Sequence, residues 1–274
     1  MTEKTTLDAW MVNDSPENDE KKDLPQTLCD EAVRLYENRK SKEALVMINV
    51  AIDHDGTNSE YFSIKARILQ DLNRYSESKK AFDESLDLKD DSDVRAGKAM
   101  MLYEWANSSN DKPKALDLIT EAIETAQTVP DFDEFRLWYL KGSILDCMSK
   151  PIEARRCYLI AEGEIEEAER IQEQMDLITN SKDTLINITG TQFYYGLEPF
   201  RQGQILDLIL EDDNEHDPDA VRVEIDGETV GYVANSDYTL IEGIKSATEI
   251  REKNPKRAEV MFIYFEAYVI AKLV

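Results

Sequence analysis

Five columns of residues recur along the first two thirds of the chain. Ala32, Ala66, Ala99 and Gly142 form the first, and Leu35, Leu69, Leu102 and Leu145 stand three positions further on each time. Ala44, Ser78, Ala115 and Ala154 form the third, Ile48, Phe82, Ile119 and Tyr158 the fourth, and Ala51, Ser85, Ala122 and Ala161 the fifth. At every column the first and second copies are 34 residues apart, as Ala32 is from Ala66 and Ala44 from Ser78. A fixed period of this length constrains the fold more than any composition does. Each copy is one pair of antiparallel helices, with small residues where the two helices cross and a large apolar residue filling the gap to the next copy. No pair covers its own apolar face, so the pairs must stack.

The third copy departs from the spacing. Asn107 to Pro113 lengthens its inner turn by four residues, Arg95 takes the bulky first position, and the stretch around Val129-Pro130-Asp131 lengthens the connection to the fourth copy. Gly163 marks a break, after which Glu164 to Thr179 continues as a Glu-rich helix with Ala168, Ile171 and Met175 on one face. The period and the small-small-large-small pattern resemble the tetratricopeptide repeat, and the last helix resembles the cap that closes such an array. The resemblance implies a concave groove lined by the first helix of each pair and used to hold a protein or peptide. Projected from the columns, that groove presents Tyr36, Arg67, Gln70, Met100, Tyr103, Tyr139, Ser143 and Asp146. The subclass of these repeats that clamps peptide carboxylates uses Lys and Asn. Cys29, Val33, Ser63 and Arg67 stand at the clamp positions here, so binding of chaperone tails is not expected.

The chain carries a net charge of −25 with a pI near 4.4, and the acidity spans both halves. Such a surface repels nucleic acid at long range, so any nucleic-acid contact has to be local. With 42% hydrophobic residues there is ample material for a core. Residues 1–22 read as an acidic, disordered leader interrupted by Leu7, Trp10 and Met11. No apolar signal core and no run long enough to span a bilayer is present. Cys29, Cys147 and Cys157 form no Cys-x-x-Cys pair, which points to reduced thiols and a cytoplasmic protein without a zinc site.

After a short linker at Asn180-Ser181-Lys182-Asp183 the pattern becomes strand-like. The order reads β, β, β, β, α, β, with a hairpin at Asp226-Gly227, a helix over Tyr238 to Arg251 and one long closing strand from Glu259 to Leu273. Three motifs stand in sequence: Gly190-Thr191-Gln192-Phe193-Tyr194-Tyr195-Gly196, then Asn214-Glu215-His216-Asp217-Pro218-Asp219-Ala220-Val221, then Gly231-Tyr232-Val233. This order, over Ile186 to Val274, resembles the HIRAN domain, a small β-barrel best known from fork-remodelling DNA translocases. The expected architecture is therefore α+β in two domains: an all-α tetratricopeptide-type solenoid over 23–179 and a small OB-like β-barrel with one helix over 183–274.

The HIRAN resemblance implies a pocket for the 3′ end of single-stranded DNA. Phe193 and Tyr194 match a base-stacking pair on the first strand, Asp217 the acid that holds the terminal hydroxyl, and Asn214 its support. Gln192 stands where an arginine often precedes the aromatics, His216 before the turn acid, and Tyr232 where a histidine can stand. These seven positions are the expected nucleic-acid contacts. Physics alone explains Asn214 and Asp217 equally well as Asx caps of a tight turn preset by Pro218, and at least one of the three aromatics 193–195 as barrel core.

Enzyme chemistry finds little here. His54 and His216 are the only histidines, and no phosphate loop, nucleophile elbow or metal-helix motif occurs. Asp213, Glu215, Asp217 and Glu224 have some of the spacing of a calcium loop, but Pro218 occupies the glycine position. No catalytic residue, metal or cofactor is expected. The leading expectation is a non-enzymatic adaptor: a protein partner in the helical groove, a nucleic-acid end on the barrel, no membrane, and a role in DNA maintenance. The alternative is a pure protein-interaction scaffold whose barrel has lost DNA, and Arg201 or Arg222 near the pocket would favour the first.

Overall fold

The structure, a computed structural model, describes residues 24–236, 238–264 and 268–274. The acidic leader with Leu7, Trp10 and Met11 lies outside the described residues. The chain divides into two compact units, one ending at Leu137 and the other beginning at Trp138.

The first unit holds three antiparallel helix pairs of the tetratricopeptide type. They are α1 (Leu24–Glu37) with α2 (Ser41–His54), α3 (Ser59–Asp71) with α4 (Tyr75–Leu88), and α5 (Ser92–Ser108) with α6 (Lys112–Ala126). The columns explain the packing: Ala32, Ala66, Ala99, Ala44, Ser78 and Ala115 are all buried at the crossings. Where the small residue is a serine, its hydroxyl is satisfied inside the core. Ser78 Oγ donates to the Ala66 carbonyl at 2.7 Å and Ser85 Oγ to the Ser59 carbonyl at 2.7 Å. Asn58, Asp91 and Asp111 cap the starts of α3, α5 and α6 through their side-chain oxygens.

The tight turns repeat as faithfully as the columns do. Arg39, Asn73 and Ser149 occupy the same repeat position and all take the left-handed conformation, with φ of 62°, 57° and 59°. In each, the following amide reaches back to a column leucine: Lys40 N to Leu35 O, Arg74 N to Leu69 O and Lys150 N to Leu145 O. This is the Schellman closure of a helix C-terminus, made here without glycine. The third pair, with its longer turn, ends α5 differently and restarts α6 on the Asp111 cap and Pro113.

The second unit contains most of α7 (Phe135–Cys147), then α8 (Pro151–Glu162), α9 (Ile165–Asn180) and the barrel. Gly142 brings α7 onto Tyr158 so closely that a Cβ there would lie 2.5 Å from the ring. Ala154 is fully buried, as its column requires, whereas Ala161 and Tyr158 are only half-buried. Gly163 ends α8 in the left-handed conformation.

The barrel strands are β1 (Leu185–Thr189), β2 (Ile205–Leu210), β3 (Val221–Ile225), β4 (Glu228–Val233), β5 (Arg257–Tyr264) and β6 (Tyr268–Leu273). They close in the order β1-β4-β3-β2-β5-β6, all neighbours antiparallel. Two expectations change. The stretch 259–273 is not one strand but the β5–β6 hairpin, with Tyr264 opposite Tyr268. A single strand of that length would overshoot a small barrel, and no Gly, Pro, Asn or Asp signals the turn. Within 238–251 only α10 (Ala247–Arg251) is helical, started by a capping box between Ser246 and Glu249. The β3–β4 hairpin is as expected: Asp226 and Gly227 both have positive φ, the type I′ geometry that suits two-residue hairpins.

Alternation fills the barrel. Ile186, Ile188, Leu206, Leu208, Val221 and Val223 point inward with Val230, Val260 and Val269. A second core lies outside it. Leu185, Ile244, Tyr264 and Ile270 pack with Ile152 and Leu159 of α8 and with Ala168, Ile171 and Ile178 of α9. The barrel and the last helices of the array thus bury a common apolar layer.

Candidate functional site

β1 ends at Thr189, and Gly190 turns the chain in the left-handed region at φ 73°. Thr191–Phe193 then forms a single 3₁₀ turn, tied by Tyr194 N and Gly196 N to the carbonyl of the buried Thr191. The aromatic pair therefore sits beyond the first strand, on this turn, and not on the strand. Gln192, Phe193, Tyr194 and Tyr195 splay outward, Phe193 being 80% exposed. None of the three aromatics enters the barrel core. Tyr194 leans on Tyr232 of β4, with ring centroids 6.4 Å apart. β1 lies between β4 and β6, so the aromatics meet the rest of the site through β4.

The residue that organises the site is Glu211, just past β2, which sequence reasoning missed. Its carboxylate accepts from Asn214 Nδ2 at 2.8 Å, from the Tyr232 hydroxyl at 3.3 Å and from Arg222 Nη1 at 2.5 Å. Asn214 Oδ1 in turn accepts from the backbone amides of His216 and Asp217, the Asx cap expected from its side chain. Asp217 accepts from the amide of Asp219 at 2.9 Å, and both its oxygens accept from Asn235 Nδ2, the closer at 2.9 Å. Asn235 is held by Thr248, whose amide and hydroxyl both donate to its oxygen. The structure thus gathers Tyr194, Tyr232 and Asn214 around Glu211, with Asp217 adjoining through Asn214. Gln192, Phe193 and His216 stand exposed at the surface.

Electrostatics limit what this surface can hold. Arg222 lies opposite Tyr232 on the neighbouring strand, but its guanidinium spans Glu211 and, at 2.9 Å, Glu224. Arg201 folds back onto the carbonyls of Glu198 and Phe200. Arg251 is paired with Asp212 and supports Asp219 and the Ala220 carbonyl. Each of these three arginines is therefore engaged internally. Burial, followed by the Tyr194 hydrogen bond and the Glu211 charge, pushes the Tyr232 hydroxyl up to about 12. The arrangement offers aromatic faces, hydroxyls and acceptors, with little cationic charge for phosphates. No group of metal-ligating side chains able to hold an ion occurs among the described residues.

A second candidate lies in the first unit. Tyr36 of α1, Arg67 and Gln70 of α3 and Met100 of α5 line one cavity of about 600 Å³. Gln70 Nε2 donates to Glu104 at 2.7 Å, linking α3 to α5. Tyr103 is half-buried on α5 and does not line it. Tyr139, Ser143 and Asp146 belong to α7 and the other unit, where Tyr139 packs 5.2 Å from Tyr158 and Asp146 accepts from the Tyr158 hydroxyl.

Residues 182–241 match the HIRAN domain model. No curated protein matches the chain. Among solved structures, the crystal structure of MamA aligns at 14% identity over 62% of this chain and 86% of that one, with a TM-score of 0.40. A MamA fragment from Desulfovibrio magneticus RS-1 aligns at 18% identity over 58% and 86%, with a TM-score of 0.38. PilF of Pseudomonas aeruginosa aligns at 13% identity over 57% and 71%, with a TM-score of 0.34.

Proposed function

We propose that the protein is a non-enzymatic adaptor: the helical groove holds a protein segment, and the barrel recognises the 3′ end of single-stranded DNA in DNA maintenance. The observation that carries the barrel half is the Tyr194–Tyr232 aromatic pair set against the Glu211–Asn214 acceptors, within the span that matches the HIRAN model. Stacking on aromatics is worth about 1–3 kcal/mol per base and needs no cation. Phe193, standing outside, adds a second face. Asp217 has lone pairs to spare beyond Asn235 and the Asp219 amide, enough to accept from a terminal hydroxyl. Carboxylates at this site repel internal phosphates, so ends are favoured over interiors. The free cysteines Cys29 and Cys157 are buried and Cys147 is exposed, with no disulfide among them, which accords with a reducing, cytoplasmic setting.

The test uses the full chain and labelled single strands at low salt. Strands with a free 3′ hydroxyl should bind more tightly than 3′-phosphorylated ones. Tyr194→Ala should weaken both, and Asp217→Ala should erase the difference between them while the thermal midpoint reports any damage to the turn. Equal binding of the two ends by the unmutated protein, or none, would sink the DNA-end reading. The internal engagement of Arg222 favours the second reading in that event, a protein-interaction scaffold whose barrel no longer takes DNA.

A further inference from the structure

In the third repeat two small residues of α5, Ala96 and Gly97, line the first-unit cavity. Two positions before the first column, the other repeats carry Asp30, Ile64 and Leu140, and the third carries Gly97. One position earlier, Ala96 stands in the register of Cys29, Ser63 and Tyr139. At Gly97 a Cβ would come 3.2 Å from the Phe82 ring and 3.7 Å from Arg67 Nη2, so bare α5 backbone forms part of the floor. The result is a hollow of about 600 Å³, within the usual range for a ligand site.

Its walls are uneven in charge. Asp71, Asp93 and Glu104 line it against one guanidinium, Arg67. Asp71 is partly occupied, accepting from Ser41 Oγ and lying 3.9 Å from Arg39. Among the described residues, Glu104 is bonded to the neutral Gln70 amide and meets no cation. The Asp93 carboxylate meets no cation among the described residues, and neither does Arg67 meet an acid. Tyr36 and Met100 add apolar surface to the same lining. Lysine and arginine fit such a lining: the alkyl stem lies on Tyr36 or Met100 and the head reaches a carboxylate. Arg67 is then free for a backbone carbonyl of the same segment. The chain's own leader does not fit, because Glu3, Asp8, Asp14, Glu17, Asp19 and Glu20 outweigh Lys4, Lys21 and Lys22.

We infer that the occupant of this cavity is an extended protein segment bearing lysine or arginine, and not an acidic tail; this rests on the reading of the groove as a protein-binding surface. Binding is driven by local carboxylates and weakens with salt.

The test titrates the full chain with three fluorescein-labelled octapeptides, with Lys, Glu or Leu at alternate positions and Ser between them. The lysine peptide should bind. Asp93→Asn with Glu104→Gln should weaken it roughly three- to tenfold, and Ala96→Leu, which fills the hollow, should abolish it. Glu166→Gln with Glu169→Gln, an equal loss of charge on α9, should leave it unchanged. An equal effect of the α9 pair would reduce the binding to bulk charge and overturn the inference. Binding of the glutamate or leucine peptide in preference to lysine, still lost in Ala96→Leu, would overturn the basic partner and leave the groove reading standing. No binding by any of the three, or binding indifferent to Ala96→Leu, would overturn both.

Discussion

The helix pairs and the barrel solve the same packing problem with different uses of sequence. In the pairs, closures recur at one repeat position: Arg39, Asn73 and Ser149 turn the chain, and Leu35, Leu69 and Leu145 receive the returning amide. In the barrel nothing recurs. Its site draws Tyr194 from the β1–β2 connection, Glu211 and Asn214 from the β2–β3 turn, Arg222 from β3, Tyr232 from β4 and Asn235 from the loop beyond. Repetition lets one copy vouch for another, whereas a site assembled once from distant segments has no internal check. The two regions are also not cut where the composition changes: Leu185, Ile244, Tyr264 and Ile270 of the barrel side share a core with α8 and α9.

That shared core gives the largest expected effect. Residues 183–274 keep the inner barrel core but would expose those four apolar side chains. Each fully buried large apolar residue is worth about 1.5–3 kcal/mol, so their combined loss rivals the whole stability of a small domain. Expressed alone, 183–274 should be molten or aggregate, and 138–274 should unfold cooperatively. Denaturant melts of the two fragments decide it. A cooperative 183–274 with an equal midpoint would show that the outer layer contributes nothing and that the linker at 180–183 is a true folding boundary.

A pair of glycines sharpens the comparison next. At Gly231 in β4 a Cβ would lie 2.7 Å from the Thr189 carbonyl oxygen and 2.9 Å from Ile188 Cγ2. The first of these is backbone of the adjoining strand and cannot swing away. At Gly142 the obstacle, at 2.5 Å, is the ring of the half-exposed Tyr158, a side chain that can rotate at the cost of its hydrogen bond to Asp146. Gly231→Ala should therefore cost about 2–3 kcal/mol and Gly142→Ala about 1 kcal/mol. Chemical denaturation of both variants measures the order, and a reversal would mean that β4 yields more readily than the helix pair.

The same contrast governs what the sequence made legible. The columns placed Ala32, Ala66, Ala99 and Ala154 in the core because small residues at a helix crossing leave a periodic trace. The turn at Asp226-Gly227 was legible because its chemistry is local. The β5–β6 hairpin was not, since Ile263 to Tyr268 contains no Gly, Pro, Asn or Asp and, Glu266 apart, the run is apolar and reads as one strand. Glu211 was invisible for another reason. It is one acid among many beside Asp212 and Asp213, and only the fold brings Arg222 and Tyr232 to it. The turn motif around Asn214 and Asp217 was legible as a turn, but Asn235, which grips Asp217 from 18 residues away, carried no local signal.

Within the helical side, two column alanines of α8 differ. Ala154 is wholly buried, and Ala161, close to the Gly163 cap, is half-buried. Ala154→Leu should overpack its crossing and cost about 1–3 kcal/mol, and Ala161→Leu well under about 1 kcal/mol. Thermal midpoints of the two variants test whether burial, and not column membership, sets the cost. Equal midpoints would contradict the half-buried placement of Ala161.

The smallest effect expected is a change of slope with pH, and it isolates the barrel site. Tyr232 holds its proton to about 12 against an ordinary value of 10.0, first through burial and then through Tyr194 and Glu211. Below pH 10 the folded and unfolded chains both keep that proton, and its contribution to stability is complete. Between pH 10 and 12 the unfolded chain gives the proton up and the folded chain retains it, so stability falls as pH rises. Above the folded value the contribution is gone. Tyr158 and Tyr264 are also raised, chiefly by burial, so the unmutated protein alone cannot assign the slope. Tyr232→Phe resolves this, because the causes that raise Tyr158 and Tyr264 do not involve Tyr232 and persist in the variant. The variant should be less stable at neutral pH by about 0.5–1.5 kcal/mol for the lost hydrogen bonds. Its stability should then decline less steeply than the parent's across the alkaline window. Tyr158→Phe should produce a similar flattening from the helical side, while Tyr194→Phe should act only through Tyr232 and vanish in the double variant. Identical alkaline slopes for the parent and Tyr232→Phe would mean that Tyr232 is as solvated as a free tyrosine, and the Tyr194–Tyr232–Glu211 cluster would no longer hold together as a site.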